Sequence, residues 1–333
     1  IPKMKSTRDY PFGSLGKVTV GKVNIIRTEN GKDSIVPKNG IELAFNEFLQ
    51  GIPGKEMTQE ISGKILIPKK SEQNVLPQPG RDVITTINIE FQDAAELALK
   101  KKLNQMKALW GCVVLMEVES GDIKAIANLH RGKDLTYFDS KNHAIVSEIA
   151  PGSTFKLASY LSILEDGIMD ITDSVETGNG RVKFYTTTIS DTKRGGYGKI
   201  TFGESFVVSS NVAISKVIND SYKNHPEKFI SNLEKFKLTE PLNLQLPYRS
   251  DMIMRKPDDK LWSGTSLPSM SIGYEMSISP LQILTFYNAF ANKGKMVVPR
   301  IVSSIRSEGK TINTFPVNVV DQPIFSEESV NKL

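Results

Sequence analysis

The sequence predicts an α+β fold: a small mixed module over residues 1–80, then a larger domain over residues 81–333 in which helices pack on an antiparallel sheet. Three observations carry that expectation. A helical pattern after Asn88 runs straight into an apolar hairpin, a second helix opens after Pro151-Gly152, and the cluster Leu76-Pro77-Gln78-Pro79-Gly80 sets both apart from an N-terminal stretch of short pieces. At 333 residues the chain exceeds one ordinary core and suits one small module plus a domain of roughly 200 to 250 residues.

Taken in order, the first 80 residues alternate short polar and apolar pieces with turn formers, as in Arg8-Asp9-Tyr10-Pro11-Phe12-Gly13 and Gly51-Ile52-Pro53-Gly54. One helical patch interrupts them over 40–49, where Ile41, Ala44, Phe45 and Phe48 fall on one face. Next, Val83-Ile84-Thr85-Thr86-Ile87 is β-branched and strand-like. Asn88 caps a helix whose expected core face is Phe91, Ala95, Ala98, Leu99 and Met106, with Gly111 as its end. Cys112 to Val118 and Ile123 to Ala127 then flank Glu119-Ser120-Gly121-Asp122 as a β-hairpin with glycine in the turn. After Pro151-Gly152 comes a helix with the stripe Phe155, Leu157, Ala158, Leu161 and Leu164, closed by Gly167. Thr201-Phe202-Gly203-Glu204 and Ser279-Pro280-Leu281-Gln282 both read as capping boxes at helix starts.

Composition excludes several classes of function. Hydrophobic content of 39%, charged content of 24% and a mean hydropathy of -0.23 are those of a soluble globular protein. The net charge of +5 comes from 42 basic and 37 acidic residues spread along the chain, without the Lys/Arg runs of a nucleic-acid face. A single cysteine, Cys112, has no disulfide partner and is expected in a buried strand. His130, His143 and His225 are far apart in sequence and lack metal-ligand spacing, so neither a metal nor a redox cofactor is expected. The chain opens at Ile1 without an initiator methionine and contains neither 18 consecutive apolar residues nor a signal-peptide pattern, so the natural protein is expected to begin upstream.

Chemistry concentrates in Ser153-Thr154-Phe155-Lys156. Residues i and i+3 share a helix face with Cβ atoms about 5–6 Å apart, which lets a hydroxyl and an amine meet. Burial makes a lysine amine harder to charge and leaves a neutral fraction to accept the serine proton, and the helix N-terminus favours an oxyanion beside Ser153. Alone, the pattern also describes a capping serine with an exposed lysine. Its company matters: Ser209-Ser210-Asn211 interrupts the apolar runs Phe206-Val207-Val208 and Val212-Ala213-Ile214. That triplet reads either as a helix break with local capping or as a proton relay through Ser209, with the Asn211 amide holding a substrate carbonyl and Lys156.

An S-x-x-K followed by S-x-N is the motif order of penicillin-recognising serine enzymes. Here Pro151-Gly152-Ser153-Thr154-Phe155-Lys156 resembles the extended nucleophile motif of class B penicillin-binding proteins. Asp191, Tyr197-Gly198-Lys199-Ile200-Thr201-Phe202, and the run from Ser271 to Gln282 followed by Ala291-Asn292-Lys293-Gly294 are similar to later segments of that family. Arg8 to Gly13 and Gly40-Ile41-Glu42-Leu43 resemble its N-terminal pedestal. The resemblance covers nearly the whole chain, and Gly273-Tyr274 leans toward the division-specific septal type.

The resemblance implies a transpeptidase or β-lactamase-like domain and a peptidoglycan D,D-transpeptidase with Ser153 as nucleophile. It places Lys156 as base and Ser209 and Asn211 in the network, with no cofactor. The implied partners are peptidoglycan stem peptides, β-lactam antibiotics and membrane proteins of the division machinery, with no nucleic acid. The implied location is the extracytoplasmic face of the bacterial inner membrane, anchored by an N-terminal helix absent from this chain. One departure stands out: no Lys-Ser/Thr-Gly triplet occurs, since Lys310-Thr311 is followed by Ile312 and Ser263-Gly264-Thr265 is preceded by Trp262. The expectation is therefore a chain that stops before the family's last active-site strand. A β-lactamase or D,D-carboxypeptidase of the same superfamily and a noncatalytic envelope scaffold are the alternatives.

Overall fold

The structure, a computed structural model, describes residues 9–27, 33–61, 65–248 and 252–333. Arg8, part of the first pedestal motif, lies outside the described residues.

The N-terminal part is built from short local pieces. Helix α1 (Lys17–Val20) leads into the antiparallel hairpin β1 (Val23–Arg27) and β2 (Asp33–Pro37). The expected helical patch forms as α2 (Gly40–Ala44) and α3 (Asn46–Leu49), parted at Phe45, with Ile41 and Phe45 buried. A second hairpin, β3 (Thr58–Ile61) with β4 (Ile65–Pro68), completes this region.

Strand β5 (Asp82–Thr85) follows, and the Asn88 side chain caps α4 (Ile89–Met106) by accepting from the backbone N–H groups of Glu90 and Phe91. The buried face of α4 differs from the expected one. Leu99 is buried and Ala95 half-buried as expected, but Phe91 and Met106 are 49% and 62% exposed and Ala98 is also exposed, whereas Gln92 and Leu103 are buried. Gln92 is buried because its amide closes two hydrogen bonds with the Ile126 backbone, accepting from its N–H at 2.8 Å and donating to its carbonyl at 3.1 Å. Gly111 does not end this helix. Lys107, in the left-handed region, does so, and Gly111 sits in the next strand, where a Cβ would come within 3.0 Å of Leu103. Glycine there lets the helix lie close on the sheet.

That sheet consists of β6 (Trp110–Met116), β7 (Ile123–Arg131) and β8 (Tyr137–Phe138), all antiparallel, with the expected hairpin at its centre. Cys112 is half-buried rather than buried. Helix α5 (His143–Val146) brings His143 beside His130, their rings stacked 5.5 Å apart, so two histidines that are distant in sequence are neighbours in space. Among the described residues no group of three or more His, Cys, Asp or Glu side chains could hold a metal ion. Nor is any described helix long and apolar enough to cross a membrane.

A 3-10 turn (Gly152–Phe155) runs into α6 (Lys156–Glu165), buried from Lys156 to Leu164. A helix buried on all sides rather than along one stripe is the central element of a core, with other helices around it. The short strands β9 (Ser174–Glu176), β10 (Arg181–Phe184), β11 (Thr187–Ser190) and β12 (Lys199–Thr201) form two ribbons, β10 with β11 and β9 with β12. Helix α7 (Phe202–Val207) starts with the predicted reciprocal capping box of Thr201 and Glu204. It is followed by α8 (Asn211–Tyr222) and α9 (Pro226–Lys235).

Strand β13 (Ile253–Met254), α10 (Ser266–Met270) and β14 (Met276–Ser277) lead to α11 (Pro280–Ala291). Only half of the expected box forms at α11. Ser279 accepts from Gln282 N–H, but the Gln282 amide donates to the Lys237 carbonyl at 2.7 Å. Strands β15 (Val302–Ser307) and β16 (Lys310–Thr314) join β5 in a second antiparallel sheet, and α12 (Glu327–Lys332) packs on α6. Helices thus flank antiparallel sheets, the expected α+β arrangement.

Candidate active site

The turn that carries Ser153 is held from several sides. Before it, Ile149 and Ile278 exchange backbone hydrogen bonds. Gly152, at φ 57°, donates its N–H to the Gly273 carbonyl at 3.1 Å. Gly273, at φ 83°, lies so close that a Cβ there would stand 2.2 Å from the Gly152 carbonyl oxygen. Thr154 Oγ1 donates to the Pro151 carbonyl, Tyr287 Oη donates to the Thr154 carbonyl at 2.8 Å, and Ser159 Oγ ties α6 to the Ser271 carbonyl at 2.9 Å. Within this frame Ser153 is exposed. Tyr287 and Ser159 carried no signal in the sequence, because their partners lie more than a hundred positions away.

Lys156, the first residue of α6, is only 2% exposed. Its Nζ donates to the Ser209 carbonyl at 2.6 Å and to Ser209 Oγ at 2.9 Å. Burial lowers its pKa from the ordinary value to about 8, against the opposing pull of the Asp191 carboxylate. The structure therefore brings Lys156 and Ser209 together across 53 positions. Among the described hydrogen bonds none joins Lys156 to Ser153, its neighbour one turn back.

Ser209 itself sits at φ 54° between α7 and α8. The triplet is a helix break, as its polar composition suggested. The flanking runs differ, with Val207 84% exposed while Val212, Ala213 and Ile214 are buried. Ser210 is the N-cap of α8, accepting from Ala213 N–H at 3.0 Å and donating to Asp191 Oδ1 at 3.0 Å, and Asp191 Oδ1 also accepts from Val212 N–H at 3.0 Å. Asn211 Nδ2 donates to the Ser190 carbonyl at 2.9 Å rather than bonding to Lys156, which corrects the expectation that its amide holds the lysine. That bond fastens the N-terminus of α8 to β11.

Lys310 opens β16, all five residues of which are exposed, and Ile312 follows Thr311, so this pair forms no Lys-Ser/Thr-Gly motif. A cavity of about 680 Å³ lies elsewhere, between residues 12–17 and α4, and none of its lining residues belongs to the Ser153 turn.

The lysine leaves a measurable trace in stability. Its folded pKa near 8 lies below the ordinary lysine value near 10.5, so between those pH values the unfolded chain binds more protons than the folded one. Stability contributed at this site therefore rises with pH across pH 8 to 10.5, by roughly 3 kcal/mol at most. Urea unfolding of wild type and Lys156→Met over pH 7–11 reads this as a slope that the variant lacks. Equal slopes would place the ammonium in water.

Comparison with known proteins adds the following. Residues 111–333 match the family model for the penicillin binding protein transpeptidase domain, and residues 2–85 match that for the penicillin-binding protein dimerisation domain. Over 297 residues the chain is 28% identical to a probable peptidoglycan D,D-transpeptidase, PbpC, of Pseudomonas aeruginosa, covering 87% of this chain and 49% of that protein. It is 27% identical to the peptidoglycan D,D-transpeptidase FtsI of Buchnera aphidicola, with the same coverage of each. The chain thus spans about half the length of the curated relatives it matches. Among solved structures, penicillin binding protein 2X of Streptococcus thermophilus is similar with a TM-score of 0.81 at 18% identity, covering 97% of this chain and 48% of that one. Penicillin binding protein 3 of Mycobacterium tuberculosis in complex with aztreonam has a TM-score of 0.76 at 22% identity, covering 98% and 67%. Likeness at that identity establishes the fold.

Proposed function

The chain belongs to the penicillin-binding protein transpeptidase family, in its class B, and from that premise we propose that it supplies the nucleophile of a peptidoglycan D,D-transpeptidase, Ser153. Residues 1–80 are its pedestal and residues 81–333 its transpeptidase domain. It works on the extracytoplasmic face of the membrane, at the division septum by the Gly273-Tyr274 form of its segment, beside membrane proteins of the division machinery.

One observation carries this reading: a lysine buried one turn from an exposed serine, with its pKa near 8. A neutral amine has two N–H donors and one lone pair. Ser209 takes the donors through its carbonyl and hydroxyl oxygens, and the lone pair is left for the Ser153 proton. Ser153 Oγ then bonds to the carbonyl carbon of the penultimate D-alanine while its proton passes to Lys156. As the C–N bond to the terminal D-alanine breaks, that proton goes to the leaving amine through Ser209 Oγ. An amine of a neighbouring stem peptide next attacks the ester, gives up a proton along the same route, and releases Ser153. A penicillin acylates the same oxygen by opening its β-lactam ring, whose nitrogen takes the proton.

Labelled penicillin tests the proposal. With the protein encoded by the whole gene, peptide mass mapping is expected to find a long-lived adduct on Ser153 that Ser153→Ala abolishes. No adduct on Ser153 would favour a scaffold, and an adduct lost by rapid hydrolysis would favour a β-lactamase.

A further inference from the structure

Ser209 presents both oxygens to Lys156 from a left-handed backbone conformation, which costs a non-glycine residue on the order of 1 kcal/mol and persists only where its flanks over-determine it. On the α7 side, Ser209 and Ser210 donate their N–H groups to the carbonyls of Phe206 and Ser205. On the α8 side the anchors are Asn211, whose amide donates to the Ser190 carbonyl at 2.9 Å, and Asp191. Its own N–H is tied to the Gly180 carbonyl at the base of the β10–β11 ribbon, and its carboxylate gathers Ser210 Oγ and Val212 N–H. An anion at the N-terminus of the 12-residue α8 also meets the positive end of the helix dipole.

We infer that Asp191 is a positioning residue of the reaction proposed above: it clamps the end of β11 to the start of α8 so that Ser209 stays in place beside Lys156. The inference rests on that reading of Lys156 as proton acceptor. The Asp191 carboxylate raises the pKa of Lys156, opposing the larger effect of burial. Tyr160, one turn along α6 and bonded to Ser205 Oγ, is raised in pKa chiefly by burial, with the same carboxylate adding to it. A clamp that only capped α8 would leave the titration of the lysine untouched, which separates the two roles.

The test is made on the whole-gene protein carrying ¹³C-labelled lysine, with the Lys156 Cε resonance assigned by its disappearance in Lys156→Met. Loss of the carboxylate charge in Asp191→Asn is expected to move the Lys156 midpoint below the wild-type value near 8, with Asp191→Glu closer to wild type. The acid limb of penicillin acylation should move to lower pH with it, and the maximal rate should fall roughly tenfold or more as Ser209 loses its anchor. An unchanged midpoint with a normal wild-type adduct overturns the role of Asp191 alone, even if stability falls. A wild-type protein that forms no adduct overturns the reading of Ser153 and Lys156, and with it any part for Asp191 in the reaction. Should Asp191→Asn not fold, Ser210→Ala, which removes one contact of the carboxylate with the start of α8, carries the comparison, and a wild-type acylation rate in that variant would overturn the clamp.

Discussion

Lys156→Met is expected to slow acylation of Ser153 by penicillin by a factor of about 10² to 10⁴, the usual worth of a positioned general base, while the protein stays folded. Methionine fills a similar volume at this buried position and removes a cation held out of water. Against that gain, Ser209 Oγ and its carbonyl lose their donor, at a cost of about 1–3 kcal/mol. The two effects oppose each other, and stability at pH 7 should lie within about 2 kcal/mol of wild type. Stopped-flow acylation together with urea unfolding reads both quantities. A folded variant that acylates within tenfold of wild type would exclude Lys156 as the base.

Gly273→Ala is expected to damage the same site from the opposite side. A Cβ at residue 273 would stand 2.2 Å from the Gly152 oxygen and 2.7 Å from its nitrogen, both of them backbone atoms with no rotamer to yield. The φ of 83° adds left-handed strain. Together these should cost about 2–4 kcal/mol of stability. Relieving the overlap must also move the Ser153 turn, and a displacement near 1 Å typically lowers a rate about 100-fold. Gly152→Ala is the control: its φ is also positive, but a Cβ there meets nothing within 4 Å, so only the conformational cost of about 1 kcal/mol remains. Thermal unfolding and acylation rates of the pair decide the matter. Equal behaviour of the two variants would show that close approach is not what requires glycine at residue 273.

The reasons some features were legible are physical. Asn88, Thr201 and Ser279 each cap the next turn of their own helix, with partners two or three residues away, so a short stretch of sequence contains the whole interaction. The hairpin of β6 and β7 is likewise local, with apolar runs on both sides of Gly121. Periodicity counts apolar residues, so it places Leu99 and Ala95 on the buried face of α4 but misses Gln92. Gln92 is buried by hydrogen bonds to Ile126, a partner 34 positions away. Glycine after a helix resembles a stop, and only the approach of Leu99 and Leu103 to Gly111 shows that it serves packing.

For the candidate site, the residue types and their spacing along the chain were set by sequence alone: a serine and a lysine one turn apart, a Ser-Ser-Asn triplet between helices, and glycines at 152 and 273. Tertiary structure decided that Lys156 turns to Ser209, that Asn211 is spent on Ser190, and that Gly273 presses on Gly152. It also lowered the basicity of the lysine, because other parts of the chain exclude water from its amine. Helix caps and periodicity act within a few residues, whereas burial and close contact depend on segments that meet only when the chain has closed around α6.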